Sequence, residues 1–410
     1  LGRGATSMPG KVALKVKRNV LKDLSKNTKV IVVTGTNGKT TSCRILEEGL
    51  KKAGKSYFIN KSGANLITGV TASFIMNSTV TGKGKKDYAI IECDENAFKE
   101  VSRYIHCDVI LVTNVFRDQL DRYGEVTHTL NAIKESVKNL PNAIVCLDAD
   151  CSLTYSMSKE IPNKIITFGV NVPFDKNAKA PEISDAKYCI FCKHEYDYTY
   201  HTYGHLGGFV CNNCGYKRPQ PDFAVESVEE MKNDHSVVVA NLNGDRNIIK
   251  VNIGGAYNIY NAIGCAAALT ALGIEQKIII DAIENFNGAF GRMEHFKSGN
   301  NTVNLILVKN PAGFSQTMNF LKSIDDDFTL ILSLNDNAAD GRDISWIWDV
   351  DFSGIFDKPN VKELYVTGKR CYDMAVRVKY EGVGNREIKI IENEDYNKLV
   401  DVATSQGRDV

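Results

Sequence analysis

The apolar residues of the chain recur in short β-branched runs that alternate with amphipathic helical segments. This alternation predicts a parallel sheet with right-handed crossovers, and ligands of such sheets bind at the carboxyl ends of the strands. In the first block, the predicted strands are 30–33, 57–60, 88–93, 109–113, 143–147 and 164–168, and a helix runs to residue 52 after the first of them.

Two later blocks extend the pattern. Strand-like segments at 236–242 and 247–253 precede an alanine-rich helix that runs through residue 272. A smaller alternation follows from residue 296, with strands at 302–308, 328–334, 361–367 and 387–391. We therefore predict an α/β protein with an N-terminal helix and linker (1–28), a central domain (29–296) interrupted by an insertion (186–218), and a smaller Rossmann-like C-terminal domain (297–410).

The first predicted strand runs directly into a glycine-rich turn, Gly35-Thr36-Asn37-Gly38-Lys39-Thr40-Thr41. Glycines let the backbone approach an anion, and the free N–H groups of the following helix point at it. Lys39 supplies a positive charge, and the Thr40 hydroxyl is placed to bind Mg²⁺. The usual motif has a glycine five residues before Gly38, where this chain has Val33, so the loop is the shorter G-x-x-G-K-T form. We predict a nucleotide phosphate site. The alternative is a strand-turn-helix with incidental glycines.

Polar residues at three other places have two possible roles each. Glu92 ends a strand, where it either completes a Mg²⁺ site or belongs to a helix-capping acidic cluster. Thr113 and Asn114, followed by a polar run at 117–124, either join the site or begin a capped helix. Asn258 and Asn261 are three residues apart on one predicted helical face, where they either contact an adenine edge or cap the helix.

The insertion is rich in cysteine, histidine and tyrosine. Its two Cys-x-x-Cys pairs, with eighteen residues between the inner cysteines, have the spacing of a four-thiolate zinc ribbon: Cys189, Cys192, Cys211 and Cys214. Four thiolates leave no open position, so we predict a structural zinc site. Gly215 supplies the backbone freedom that such a turn needs. The three histidines of the insertion could replace a thiolate, but the four cysteines already close the shell: His194, His201 and His205.

Composition excludes several classes of protein. The 50 Lys and Arg residues nearly balance the 49 Asp and Glu residues, and no long run of one sign occurs, so an electrostatic nucleic-acid platform is excluded. No apolar run is long enough to span a bilayer. The eleven cysteines are scattered and odd in number, which favours a reducing cytoplasm over a disulfide framework.

Taken in order, these motifs resemble the central ATPase domain of the Mur ligases, which build the peptidoglycan stem peptide. They are the phosphate loop, Glu92, 113–114 followed by 118–121, 255–258 and 291–294. The resemblance implies that residues 35–41 bind ATP, with Lys39 on the transferred phosphate and Thr40 and Glu92 on Mg²⁺. It also implies that Asn258 contacts the adenine, and Arg292 the ribose and phosphates.

Departures from that pattern indicate a particular branch. Gln119 stands where amino-acid-adding Mur ligases have a histidine, so the resemblance does not extend to a second metal site. The motif early in the last domain is altered at 307–313, and Lys134 lies where some relatives carry a modified lysine. We expect no domain for a UDP-linked substrate ahead of the loop, and the cysteine insertion is foreign to ordinary Mur ligases. This combination resembles the MurT family, the synthetase subunits of lipid II isoglutaminyl synthases.

The MurT resemblance implies amidation of the α-carboxylate of D-glutamate in the lipid II stem peptide. The reaction would use ATP and ammonia from a glutaminase partner, GatD, in a cytoplasmic heterodimer with possible contact to the inner membrane face. It also implies that the last domain supplies the acid of the partner's catalytic triad, a role we assign to Asp343. Its neighbours Asp336, Asp340, Asp349 and Asp351 are rivals, and Trp346 and Trp348 could anchor the interface.

Two other functions stay open on the sequence. An amino-acid ligase of the folylpolyglutamate synthetase type would use the same phosphate loop but add an amino acid. A zinc-ribbon scaffold regulated by nucleotide would bind ATP without turnover.

Overall fold

The computed structural model describes residues 7–60, 64–117, 126–174, 185–232, 234–286, 293–298, 301–322, 324–337, 342–384, 386–392, 396–405 and 407–410. The chain divides into two compact units, one of Leu1–Phe116 with Glu125–Asn287 and the other of Arg117–Gly124 with Gly288–Val410. The ranges that the sequence predicts for the central and C-terminal domains remain predictions.

The first unit is built on a large twisted sheet. Its strands and those of the insertion are β1 (Lys29–Thr34), β2 (Tyr57–Ile59), β3 (Tyr88–Glu92), β4 (Val109–Val112), β5 (Ile144–Asp148), β6 (Ile165–Val170), β7 (Asp197–His201), β8 (Gly207–Val210), β9 (Phe223–Met231), β10 (Ser236–Leu242) and β11 (Asp245–Val251). Within the described residues the sheet order is β11-β10-β9-β6-β5-β4-β1-β3-β2. In that order, each strand of the run β9-β6-β5-β4-β1-β3-β2 is parallel to its neighbours in the run. Because β1 lies between β3 and β4, the carboxyl ends of these three strands meet at one edge.

Helices cover both faces of this sheet. They are α1 (Met8–Val16), α2 (Val20–Ser25), α3 (Lys39–Lys52), α4 (Ile67–Met76), α5 (Glu95–Val101), α6 (Val126–Lys138), α7 (Ser152–Ser156), α8 (Ala256–Ala271) and α9 (Gln276–Glu284). Helix α8 is buried along most of its length because its side chains are small and apolar nearly all round. The predicted α/β class and parallel-rich sheet are confirmed.

The strand β9 is absent from the sequence prediction. It carries three glutamates among its apolar residues, and its second half is only partly buried, with Glu229 and Met231 exposed. The whole strand pairs antiparallel with β10, and β10 pairs antiparallel with β11. Antiparallel strands can keep one face in water, so the apolar pattern is weaker there than in the parallel strands.

The second unit is a smaller α/β assembly. It contains β12 (Met293–Ser298), β13 (Asn301–Ile306), β14 (Phe328–Ser333), β15 (Val361–Thr367), β16 (Ile388–Ile390), α10 (Pro311–Lys322), α11 (Cys371–Glu381) and α12 (Tyr396–Ser405). Strands β14, β15 and β16 are parallel, while β12 and β13 form an antiparallel pair. Met318, Phe352, Val366 and Met374 belong to its core. Among the described residues of both units, no helix is long and apolar enough to cross a membrane.

The insertion folds as a two-knuckle ribbon around the hairpin of β7 and β8. In the first knuckle Lys193 N–H donates to the Cys189 carbonyl (2.9 Å), and in the second Gly215 N–H donates to the Cys211 carbonyl (2.9 Å). Both residues have positive φ, 63° for Lys193 and 75° for Gly215. The predicted role of Gly215 in this turn is therefore confirmed. Lys193 adopts a positive φ at the corresponding position of the first knuckle, although it is not a glycine.

The four predicted cysteines converge at the base of the ribbon. Their Sγ atoms all lie within 4.8 Å of one another. The Sγ atoms of Cys189 and Cys214 are 3.6 Å apart, and those of Cys192 and Cys211 are 3.4 Å apart. A tetrahedral ion with metal–sulfur bonds of about 2.3 Å would separate its ligands by about 3.8 Å, so the cluster fits a metal ion. The histidines of the insertion lie outside the cluster.

We predict that purified protein carries one metal ion per chain and that Cys189→Ser releases it. Binding free energies of structural four-ligand sites are about 10 kcal/mol or more, so the ribbon should become sensitive to protease once the ion is lost. Elemental analysis and limited proteolysis measure both effects. Cys371→Ser, which replaces a buried cysteine of the second unit, is the control, and this variant should keep the ion. Full metal content and an intact ribbon in Cys189→Ser would contradict the site.

Candidate nucleotide site

The loop between β1 and α3 has the conformation of a phosphate-binding turn. Gly35 and Gly38 have φ values of +119° and +85°, and α3 begins directly afterwards at Lys39. A Cβ atom on Gly35 would lie 2.4 Å from Thr113 Oγ1, and one on Gly38 would lie 2.1 Å from Asn261 Oδ1. Both positions therefore require glycine for the backbone angle and for space.

Asn114 holds this loop from the end of the neighbouring strand. Its Oδ1 accepts a hydrogen bond from Asn37 N–H (2.9 Å), and its Nδ2 donates to the Asn37 carbonyl (3.3 Å). Its own carbonyl accepts from Thr36 N–H (2.9 Å). Residues 113 and 114 therefore both contact the predicted phosphate loop, while most of the polar run that follows them lies outside the described residues.

Lys39 is held in a nearly buried ion pair. Its Nζ donates to Glu95 Oε1 (2.9 Å), to the Thr36 carbonyl (3.2 Å) and to the Gly35 carbonyl. The side chains of Lys39 and Glu95 are 15% and 4% exposed. Burial raises the pKa of Glu95, and the Lys39 charge opposes that shift. The Lys39 ammonium therefore stays at the loop, aimed by carbonyl oxygens and one carboxylate.

Thr40 and Glu92, the two expected Mg²⁺ ligands, are adjacent. Thr40 Oγ1 donates to Glu92 Oε1 (3.2 Å), and Asn60 holds the Glu92 backbone through its N–H (2.8 Å) and its carbonyl (2.9 Å). The acid that caps α5 is Asp94, whose Oδ1 accepts from Asn96 N–H (3.1 Å) and Ala97 N–H (3.3 Å). A hydroxyl and a carboxylate are oxygen ligands of the kind that Mg²⁺ prefers, so this pair fits the ion.

The first turn of α8 lies against the same loop. Asn261 Oδ1 borders Gly38, and Asn261 Nδ2 donates to Asn258 Oδ1 (3.0 Å). Asn258 Nδ2 donates to the Gly254 carbonyl (2.6 Å), and both asparagines are buried. The adenine contact of Asn258 stays a prediction. Arg292 and the 118–121 motif with Gln119 lie outside the described residues.

Three residues of the site carry no recognisable sequence signal for their contacts. Glu95 is 56 positions from Lys39, and Asn60 is 32 positions from Glu92. Asn261 was noted only beside Asn258. Only the spacing of the strands in the sheet brings these residues together. Lys134, by contrast, pairs with Glu160 Oε2 (3.0 Å) at the far end of α6.

Asp343 belongs to the second unit, immediately before the 3₁₀ helix Ser345–Asp349. Its Oδ1 accepts a hydrogen bond from Ser345 N–H (2.8 Å). Of its rivals, Asp336 pairs with Arg370 (3.2 Å), and Asp349 pairs with Arg117 (2.9 Å). Asp351 Oδ1 accepts from Ser353 N–H (2.9 Å), while Asp340 lies outside the described residues.

Two family models match the chain. The one described as the Mur ligase middle domain matches residues 33–214, and the one described as MurT ligase C-terminal matches residues 307–410. Solved structures share the fold. A pseudomurein peptide ligase type C from Methanothermus fervidus is 22% identical with a TM-score of 0.67, over 93% of this chain and 75% of that one. MurF from Acinetobacter baumannii is 16% identical with a TM-score of 0.69, over 97% and 76%.

Curated relatives match over almost the whole chain. The lipid II isoglutaminyl synthase (glutamine-hydrolyzing) subunit MurT of Streptococcus pneumoniae is 36% identical in an alignment of 414 positions that covers 98% of this chain and 90% of that protein. The protein of the same description from Staphylococcus aureus is 32% identical, over 97% of this chain and 87% of that protein. With a Mur ligase middle domain, a MurT C-terminal domain and relatives of this similarity, the chain belongs to the MurT family.

Proposed function

We propose that this chain is the synthetase subunit of a lipid II isoglutaminyl synthase. It amidates the α-carboxylate of D-glutamate in the lipid II stem peptide, with ATP as the energy source and ammonia as the nitrogen donor. The single observation that carries the proposal is the phosphate loop, with Lys39 aimed along it and Thr40 beside Glu92. Family membership supplies the substrate class.

A carboxylate must be activated before ammonia can replace its oxygen. A carboxylate oxygen of the substrate attacks the γ-phosphorus of ATP, the bond from that phosphorus to the bridging oxygen breaks, and ADP leaves. Ammonia then attacks the acyl carbon of the acyl phosphate, inorganic phosphate departs and one proton is lost. Lys39 and the first N–H groups of α3 neutralise the charge of the transferring phosphoryl group.

Two metal ions fit the chain's own donor sets. Thr40 and Glu92 would hold Mg²⁺, which neutralises phosphate charge when it is bound, and zinc would occupy the four-cysteine cluster. The cluster has only thiolate donors and no open ligand position, so its role is structural. The Lys39 ammonium keeps a different task, because it must exchange Glu95 for phosphate oxygens when ATP binds.

Ammonia comes from a glutaminase partner, GatD. Seven cysteines lie outside the ribbon cluster, and all seven are buried. Burial raises the pKa of Cys146 to about 12 and that of Cys151 to about 11, so these thiols are protonated and unreactive at neutral pH. We therefore expect the thiolate that hydrolyses glutamine to belong to the partner chain. Complex formation in the cytoplasm, at the inner face of the membrane, gives access to the lipid-linked substrate.

Asp343 supplies the acid that orients the partner's catalytic histidine, the third role of a nucleophile–base–acid triad. Support comes from the hydrogen bond that its Oδ1 accepts from Ser345 N–H (2.8 Å), which fixes the carboxylate beside the 3₁₀ helix Ser345–Asp349. Trp348 lies five residues further on and is 49% exposed, with Tyr380 at 5.6 Å between ring centroids. Exposed aromatic side chains of this kind are favoured at protein interfaces.

We predict that Lys39→Ala abolishes turnover while the protein stays folded. Loss of one preorganised charge at the phosphoryl group should lower the rate by about 10²–10³-fold or more. ATP hydrolysis with lipid II and ammonium measures the loss, and mass spectrometry of lipid II detects the replacement of OH by NH₂. Lys51→Ala, on the exposed side of α3, is the control and should retain activity. In a separate assay with glutamate in place of ammonium, product that carries an added amino acid would instead indicate a ligase of the folylpolyglutamate synthetase type.

We predict that Asn114→Ala weakens binding of Mg·ATP, because the Asn37 backbone loses both of its hydrogen bonds to the Asn114 side chain. A buried group that loses its hydrogen bond costs about 1–3 kcal/mol. If only the nucleotide-bound state bears this cost, the affinity for Mg·ATP falls by roughly fivefold to hundredfold. Asn163→Ala is the matched control, since Asn163 is equally buried but bonds the Leu140 and Ala143 carbonyls. It should reduce thermal stability without reducing affinity. Equal affinity loss in both variants, measured by calorimetric titration, would contradict the assignment.

We predict that Asp343→Asn lowers the glutaminase rate of the assembled complex by roughly a thousandfold or more, the scale of losing a triad acid. Asparagine keeps the acceptor for Ser345 N–H, so the loop should stay in place. Amidation driven by added ammonium should continue. Asp351→Asn, whose carboxylate also accepts a backbone N–H, is the control and should hydrolyse glutamine normally. Unchanged glutaminase activity in Asp343→Asn would overturn the assignment.

A further inference from the structure

The tip of the ribbon hairpin, residues 202–206 between β7 and β8, is buried in the first unit. Tyr203 is 8% exposed, His205 is 1% exposed and Leu206 is fully buried. His205 Nε2 lies 3.3 Å from Cys151 Sγ, and burial lowers the His205 pKa to about 4, so its ring is uncharged at neutral pH. We call residues 202–206 the ribbon tip. A ribbon that served only to fold around its metal would not need to bury its tip.

One set of contacts connects the ribbon tip to the phosphate loop through Phe116. The Phe116 ring stacks on Tyr203, with centroids 5.6 Å apart, and lies 4.5 Å from His205. The backbone of the same residue clasps Thr36, because its N–H donates to Thr36 Oγ1 (3.0 Å) and its carbonyl accepts from that hydroxyl (3.2 Å). Displacement of the ring would therefore move a residue that is bonded to the loop.

Gly204 sets the distance between the ribbon tip and that ring. Its φ is +54°, and a Cβ atom placed on it would lie 2.7 Å from Phe116 Cε1. Real Cβ atoms do not approach a carbon this closely, so a side chain here must push the ring away. Glycine is thus required both by the backbone angle and by the approach of Phe116.

A second set of contacts connects the ribbon to the start of α8 through Tyr260. The Tyr260 hydroxyl donates to Asp150 Oδ2 (2.5 Å) and lies 2.8 Å from Thr202 Oγ1. Asp150 Oδ1 accepts from Arg218 Nε (2.6 Å), and Arg218 is the last residue of the insertion. Tyr260 immediately precedes Asn261, whose side chain borders Gly38. Buried, fully bonded networks of this kind hold their members in one arrangement.

The two sets of contacts reach opposite ends of the same loop, Thr36 through Phe116 and Gly38 through Asn261. We propose that the ribbon tip positions the phosphate loop, so that nucleotide affinity depends on how residues 202–206 pack against Phe116 and Tyr260. These are positioning residues and touch no nucleotide. The inference rests on the nucleotide site proposed above. The four-cysteine cluster then affects nucleotide binding as well as local folding, because β7 follows its first knuckle and β8 leads into its second.

The test uses a double-mutant cycle of Gly204→Ala and Phe116→Leu in the full chain. Binding of a fluorescent ATP analogue with Mg²⁺ gives the affinity, and elemental analysis gives the metal content. In the unsubstituted background, Gly204→Ala should weaken binding at least fivefold with the metal retained. Leucine has no Cε atom, so in the Phe116→Leu background the same substitution should change affinity less than twofold. Strain from the positive φ of Gly204 is the same in both backgrounds and cannot produce this difference.

A second arm does not depend on Gly204. Tyr260→Phe removes the hydroxyl between Asp150 and Thr202, while Tyr216→Phe removes a hydroxyl that donates to the Ser152 carbonyl (2.7 Å) at the side of the ribbon. We expect Tyr260→Phe to weaken analogue binding and to raise the KM for ATP of the assembled enzyme at least fivefold, with a smaller change in kcat. Tyr216→Phe should stay within twofold of the unsubstituted protein.

The outcomes separate the two proposals. If the unsubstituted chain does not bind the analogue, the proposed function fails and this inference fails with it. If it binds, an equal effect of Gly204→Ala in both backgrounds, or no effect in either, overturns only the role of the ribbon tip. When Gly204→Ala does not fold, equal affinities of Tyr260→Phe and Tyr216→Phe overturn it instead.

Discussion

The site depends on the close packing of one short turn between β1 and α3. Gly35 and Gly38 adopt left-handed backbone angles, and neither has room for a Cβ atom. Thr113 and Asn114 close one side of the turn, and Asn261 closes the other. The turn is thus fixed by residues from two other segments of the chain. A loop fixed in this way loses little conformational freedom when an anion binds, which favours affinity.

The positive charge at this turn belongs to Lys39, which is held by several oxygen partners. Lys39 is nearly buried, and a buried ammonium without partners would be strongly destabilising. Two carbonyl oxygens and Glu95 satisfy it, and burial raises the pKa of that carboxyl. Under the proposed function, phosphate oxygens would replace these partners when ATP binds. Glu95 holds Lys39 in place at the loop, a role distinct from the Mg²⁺ binding proposed for Glu92.

The ribbon shows how an insertion can matter to a site it does not enter. It lies between β6 and β9, which are neighbouring parallel strands, so the sheet continues as though the insertion were absent. Its tip nevertheless returns to the domain and packs on Phe116 and Tyr260. Buried contacts between the insertion and its host unit include the Asp150–Arg218 ion pair. Removal of either side chain would leave the other as an unpaired buried charge.

The sequence by itself determined the α/β class, the glycine-rich loop, the end of α3, the parallel strands with strong apolar runs, and the four cysteines with their second knuckle at Gly215. Each of these is encoded locally, in periodicity, in glycine or in short spacing. The tertiary structure alone decided that Asn114 clamps the loop, that Glu95 pairs with Lys39, that Asp94 is the helix cap, and that His205 and Tyr203 pack on Phe116. These contacts join residues tens of positions apart, and only strand order and the path of the insertion bring them together. The sequence does not predict strand β9, because its second half is only partly buried and its three glutamates interrupt the apolar pattern.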